Sequence, residues 1–231
     1  MSTDETAKFP FRLARPIAAL HPFLAEAVEP TTTLNAFTLD DLAQFTREGS
    51  FPTGDSPDFR VLYVGRDDVA SALAYLLARC SRSLRLNMFG YDSEELDRII
   101  RHLIESSHVY VQGTLDSSQA GGVHEKKIIA GWSQEVRNSF AVGQSATHQI
   151  SHTKGGVIDG LVAFEGSTNW SASGEGEGIG LHGAANAPKY KAQNNTLTCY
   201  THPVEIVKFT DELDEEHTTA LAQQEAKRRL G

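Results

Sequence analysis

The chain has 231 residues, 40% of them hydrophobic and 22% charged, which is enough apolar content for one sizeable core and excludes a disordered chain. Its 21 basic and 30 acidic residues leave a net charge of −9, which excludes a broad basic surface for duplex nucleic acid while leaving room for a local positive cleft. Cys80 and Cys199 are too few for a disulfide framework, and both are expected reduced in the core.

In chain order, residues 1–8 are polar, and residues 1–15 hold no apolar run resembling a signal peptide. No stretch approaches the ~18 apolar residues of a membrane span, so the expectation is a soluble, cytoplasmic protein with no membrane span. Prolines at 10, 16, 22 and 30 confine any early helix to residues 23–28. A short helical pattern opens at Thr38 and runs through Leu42 and Phe45. Residues 49–58 hold two prolines and two glycines and have the composition of a linker. Residues 1–57 therefore form an N-terminal appendage, and residues 58–231 one domain.

That domain starts with a strand at 59–64, followed by a helix capped by Asp67 with Val69, Leu73, Leu76, Leu77 and Cys80 as its buried stripe. A second strand covers 84–89. Asp92 and Glu95 are spaced as a capping box for a helix whose Leu96, Ile99, Ile100, Leu103 and Ile104 share one face. A third strand covers 109–115. This strand–helix alternation predicts parallel pairing with right-handed crossovers. Residues 117–132 are read as a helix with a basic face. His124 and Lys126 give it an H-x-K pair, and Lys126 or Lys127 is a candidate grip on substrate phosphates. Strands at 140–142 and 196–200 follow, then a helix over 204–230. Ile206, Phe209, Leu213 and Ala220 lie on one side of that helix, and Lys227, Arg228 and Arg229 complement its C-terminal dipole. The fold class is α/β: a mixed, largely parallel sheet flanked by helices on both faces.

The stretch from His152 to Asn169 carries the chemistry. It has the pattern H-x-K-x4-D-x6-G-S-x-N, six fixed positions over 18 residues: His152, Lys154, Asp159, Gly166, Ser167 and Asn169. At roughly one in 20 per position, chance gives on the order of 10⁻⁶ to 10⁻⁵ such matches in a chain of this size. Asp159-Gly160 between apolar pairs is a strong hairpin signal. A two-residue turn there pairs Ile158 with Leu161, Lys154 with Glu165 and His152 with Ser167. His152, Lys154, Ser167 and Asn169 then share one face. A nucleophile or base, a fixed cation, a hydroxyl and an amide together suit an anionic phosphorus centre. His148 lies on the same face, two pleats away.

These residues resemble the active-site motif of the phospholipase D superfamily, and the order of strands and helices extends the resemblance over roughly residues 58–221. The resemblance implies one copy of that fold per chain. It makes His152 the nucleophile at phosphorus, forming a covalent phosphohistidine, with Lys154 and Asn169 holding the non-bridging oxygens. Asp159 completes the catalytic motif in a structural role at its turn, and Ser167 supports by hydrogen bond. The superfamily's small bacterial nucleases carry one motif and complete the site as homodimers, so a homodimer is expected here. No metal or other cofactor is expected: the histidines are not spaced with cysteines for zinc, and no carboxylate cluster suits Mg²⁺.

Residues 171–194 form a long polar loop. Its G-x-G-x-x-G at 178–183 lacks the strand–helix context of a dinucleotide site. Lys189, Tyr190 and Lys191 are candidates for phosphate contact and base stacking. Superfamily members often place an acidic residue after this loop to orient the catalytic ring. Here the sequence is Gln193-Asn194-Asn195. Either Asn194 takes that role, or Glu175 or Glu177 folds in. The functional expectation is a metal-independent nuclease with nucleic acid as substrate. A lipid phosphodiesterase or transferase and a catalytically weak binding protein of the same fold are the alternatives.

Overall fold

The computed structural model describes residues 9–11, 35–147, 149–176 and 192–230. Strands β1 (Phe9–Phe11) and β2 (Asn35–Phe37) pair with each other as a two-stranded antiparallel sheet. A 3₁₀ helix, Leu39–Phe45, follows, with a capping box between Thr38 and Asp41. Its Leu39, Leu42 and Phe45 are buried in the main core, so this part of the expected appendage packs with the domain.

The domain is built on a seven-stranded sheet in the order β3-β9-β8-β7-β4-β5-β6. The strands are β3 (Phe59–Tyr63), β4 (Ser83–Met88), β5 (Tyr110–Asp116), β6 (Phe140–Gly143), β7 (Lys154–Ile158), β8 (Val162–Gly166) and β9 (Thr196–Tyr200). The expected mixed α/β sheet is present, with a different balance. Only β4–β5 and β5–β6 are parallel, while β4–β7, β7–β8, β8–β9 and β3–β9 are antiparallel. The strand at 59–63 corrects the expected crossover. It does not pair with β4 but runs antiparallel to β9 at the far edge. Local alternation of strand and helix cannot tell an adjacent strand from one across the sheet, because the connecting helix satisfies both.

One face of the sheet is covered by α1 (Val69–Ala78) and α2 (Glu94–Glu105), the other by the 28-residue α6 (Pro203–Leu230). Between them in the chain stand α3 (Val123–Ala130), α4 (Gln134–Asn138) and α5 (Ala172–Glu175). The caps are shifted by one residue from those expected. Asp68 caps α1 by accepting from the Ser71 amide, and Ser93 caps α2 by accepting from the Leu96 amide. Asp67 instead takes the Tyr63 and Arg47 amides. The α1/α2 face is the apolar one, with Leu84, Leu86 and Met88 of β4 and Ile158 of β7 in its core. The α6 face is more polar: Arg85 Nε bonds Asp214 at 2.7 Å, and His217 Nδ1 lies 3.0 Å from the Gly113 carbonyl. Cys80 and Cys199 are free thiols, both fully buried. Among the described residues, no helix is long and apolar enough to cross a membrane.

The Asp159-Gly160 turn forms, with both residues at positive φ and the Leu161 amide bonded to the Ile158 carbonyl at 2.9 Å. It is one residue longer than expected: Ile158 pairs with Val162, and Gly155 with Glu165. The expected pairing of Ile158 with Leu161 is therefore corrected by one place. The reason lies in the aspartate. Its carboxylate is turned away from β8 and accepts from the amides of Ser81, Arg82 and Ser83 and from the Ser81 hydroxyl, at 2.8–3.1 Å by its shortest contacts. Asp159 thus pins the hairpin tip to the α1–β4 connection, at the end of β7 opposite His152. Asp159→Ala leaves three backbone donors short of their acceptor. It is expected to lower stability by about 2–4 kcal/mol in denaturant unfolding.

Candidate active site

The residues of interest gather where β4 ends and β7 begins. Lys154 is the first residue of β7 and stands opposite Met88, the last of β4. Its alternation with Gly156 and Ile158 turns it toward the apolar α1/α2 face, and it is only 6% exposed. The ammonium donates to the His152 carbonyl at 2.8 Å and sits 4.8 Å from the centre of the Phe89 ring. Among the described residues, no carboxylate forms an ion pair with it. Burial without a counter-charge lowers its pKa from 10.5 to about 8. His152 is exposed, and its ring packs edge-on against Phe89 with centroids 4.6 Å apart. Phe89 thus touches both the imidazole and the ammonium.

Asn169 reaches the same place from the other side. The chain leaves β8 through Gly166, whose φ of 158° and close approach to the Thr196 carbonyl leave no room for a side chain. It then docks on the loop after β4. The Trp170 amide bonds the Gly90 carbonyl at 2.9 Å, and the Asp92 amide bonds the Trp170 carbonyl at 2.7 Å. Trp170 is buried beside Tyr91, whose hydroxyl, like the Trp132 indole N–H, donates to Asp97. The Asn169 side chain lies against Gly90, where a Cβ would come within 3.1 Å of it. Its Oδ1 is buried with no hydrogen-bond partner among the described residues. Phe89 and Gly90 therefore join the three groups. His152 and Lys154 meet the ring, and Asn169 meets the glycine.

The remaining expected residues fall as follows. Ser167 is exposed, and its hydroxyl accepts from the Thr196 amide at 3.0 Å, so it fastens the start of β9. The one-residue change of register removes its expected pairing with His152. Asn194 is exposed, while its neighbour Asn195 is buried and donates to the Gly174 carbonyl at 3.1 Å. Glu175 is buried and accepts from the Ser93 hydroxyl at the start of α2. The basic helix expected around His124 forms as α3, with Lys127 paired to Glu94 at 2.6 Å. His148, Glu177, the glycine motif at 178–183 and Lys189, Tyr190 and Lys191 lie outside the described residues. Phe89 and Gly90 were not among the expected residues. Their only signal was position, an aromatic and a glycine just past the end of a buried strand.

No protein-family model matches the chain, and no match is found among curated proteins. Solved structures do resemble it. Nuc from Salmonella typhimurium, described as a phospholipase D family member, aligns over 70% of this chain and 94% of its own, with 13% identity and a TM-score of 0.53. NucT from Helicobacter pylori aligns over 70% and 98%, with 14% identity and a TM-score of 0.53. The phosphatidylserine synthase of Haemophilus influenzae Rd KW20 aligns over 70% of this chain and 39% of its own, with 12% identity and a TM-score of 0.51. The chain has an α/β fold of the phospholipase D type.

The depressed Lys154 pKa has a signed consequence. The unfolded lysine keeps its proton to pH 10.5 and the folded one releases it near 8, so unfolding takes up a proton between those values. Stability relative to Lys154→Met is therefore expected to rise with pH across that window. At pH 7, where the folded protein carries the buried charge, Lys154→Met is expected to be the more stable, by on the order of 1–3 kcal/mol. Paired urea titrations at pH 7 and pH 10 check both.

Proposed function

We propose that this chain is a phosphodiesterase that cleaves nucleic acid through a covalent intermediate on His152. One observation carries the reading. A buried ammonium with no carboxylate partner among the described residues is bonded to the backbone of an exposed histidine. A protein gains nothing in stability from such a lysine. A tetrahedral phosphate diester entering beside it supplies the missing anion. The Asn169 side chain, held against Gly90, adds amide N–H donors that can take a second phosphate oxygen.

A neutral His152 ring nitrogen attacks phosphorus with its lone pair. The P–N bond forms as the P–O bond to the leaving group breaks, and the departing oxygen takes a proton from a second imidazole. In the second step that imidazole removes a proton from water, the water oxygen attacks phosphorus, and the P–N bond breaks to regenerate His152. Two easier displacements replace one hard one. Lys154 and Asn169 stabilise the equatorial oxygens, where charge grows in each transition state. The second imidazole is assigned to His152 of another copy of this chain, which makes the working unit a homodimer. Two imidazoles at one phosphorus have their pKa values driven apart, one serving as base and the other as acid. Every proton and electron pair is handled by side chains, so the chemistry calls for no metal. Asp159 contributes by holding the hairpin rather than by touching substrate.

A nucleic-acid substrate is preferred over a lipid on the chemistry of the sequence that follows the site. The long segment after the site is glycine-rich and polar in sequence, and it carries Lys189, Tyr190 and Lys191, which suit phosphates and bases better than acyl chains. Purified protein incubated with plasmid, single-stranded DNA, RNA and phosphatidylcholine vesicles, each with chelator, tests the reading. Nucleic-acid cleavage that survives chelator, and that falls at least a thousandfold in a folded His152→Ala, is the expected result. Choline release instead transfers the site to lipid chemistry, and undiminished cleavage by His152→Ala contradicts the mechanism.

A further inference from the structure

The histidine at the centre of this reading sits on a connector, not on a strand. β6 ends at Gly143 and β7 begins at Lys154, and the described residues between them belong to no strand. His152 is exposed, and its ring rests on the half-buried Phe89. What fixes its backbone are its two neighbours. The Ser151 amide donates to Asp116 Oδ2 at 2.7 Å, and the Thr153 carbonyl accepts from the Phe89 amide at 3.1 Å. The Ser151 hydroxyl lies 3.0 Å from Asn87 Nδ2 and 3.3 Å from Asn87 Oδ1. Asp116 and Asn87 are fully buried and Ser151 is 3% exposed.

A carboxylate with no solvent contact is costly unless its oxygens are filled by donors. Asp116 has three: the Ser118 amide at 2.8 Å, the Ser118 hydroxyl at 2.5 Å and the Ser151 amide. Two of them form a local turn at the end of β5. The third reaches 35 residues along the chain to the residue before the histidine. Asn87 lies on β4 two residues before Phe89, so the segment whose Phe89 supports the imidazole ring also holds the hydroxyl of the preceding serine. From the other face, Glu216 of α6 faces the Ser151 hydroxyl and the Ala146 amide.

We infer that the buried Asp116–Ser151–Asn87 network is the positioning element for His152, so that Asp116 and Ser151 set the turnover rate without touching substrate. This rests on the phosphodiesterase reading for what the histidine does. The network holds the amide and the side chain of Ser151, the residue before His152. Lys154 bonds the His152 carbonyl, so a shift of that segment also moves the acceptor at which the ammonium points. Nucleophile and anion-binding cation are thereby both placed by a segment that one buried carboxylate anchors. A displacement of about 1 Å in a reacting group costs on the order of a hundredfold in rate.

The test is a series of variants in the nucleic-acid cleavage assay, read as separate kcat and KM. Asp116→Ala is expected to lower kcat by about 10- to 100-fold with KM within twofold, and Asp116→Asn, which keeps an acceptor for the Ser151 amide, to recover most of the loss. A folded Asp116→Ala with kcat within twofold of the parent overturns the inference. So does an Asp116→Asn as impaired as the alanine variant. If Asp116→Ala does not fold, Ser151→Ala decides. Loss of the hydroxyl alone should lower kcat at least threefold at constant KM, and an unchanged kcat overturns the inference. Amide hydrogen exchange over residues 149–153 needs no turnover. It should quicken at least tenfold in the same variants while β4 and β5 stay protected, and an unchanged rate in those residues contradicts the network's role. A parent protein inactive on every substrate would count against the phosphodiesterase reading, whereas the exchange result would still judge the network.

Discussion

An ammonium withdrawn from water, with a backbone carbonyl and an aromatic ring beside it and no carboxylate paired with it among the described residues, is the constraint on which the candidate site depends. Lys154 stands at the point where two antiparallel strands, β4 and β7, run out of apolar partners. Such a charge is tolerated because the domain has a large apolar core. The apolar face from Leu84 to Met88 and the aromatic group of Tyr91, Trp132, Phe140 and Trp170 form a core able to bear a local deficit. Strain of this kind collects where binding occurs, since the ligand supplies what the fold omits.

Glycine makes the crowding possible. Gly156 lies so close to the Arg85 carbonyl, and Gly155 to the Phe164 carbonyl, that a Cβ at either would fall 2.4–2.5 Å from a backbone oxygen. β7 is thereby drawn tightly between β4 and β8, which brings Lys154 level with Met88 and leaves Phe89 free to turn its ring toward the histidine. The path from sequence to site thus runs through backbone approach first and side-chain chemistry second.

The motif was legible because its spacing is dense and its residue types are chemically distinct. Elements with strong periodicity, such as α2 and the buried stripe of α1, were equally plain. The register of the hairpin was not. A two-residue and a three-residue connection around Asp159-Gly160 have the same turn residues, and the choice depends on Asp159 finding donors at residues 81–83, some 76–78 positions earlier. The place of β3 was also hidden, since antiparallel pairing with β9 joins residues separated by more than 130 positions. Ser151, Asp116 and Asn87 carry no motif at all. Each is an ordinary polar residue until the fold buries the three together. Gly90 shows the same limit, for a lone glycine after a strand reads only as punctuation.

In the proposed mechanism phosphorus is handed to His152 and then to water. Stereochemistry at phosphorus measures this directly, using a chirally labelled phosphorothioate diester of the substrate class that the protein cleaves. Two in-line displacements predict overall retention of configuration. Inversion would mean that water attacks the diester in a single step, and would contradict the covalent role assigned to His152.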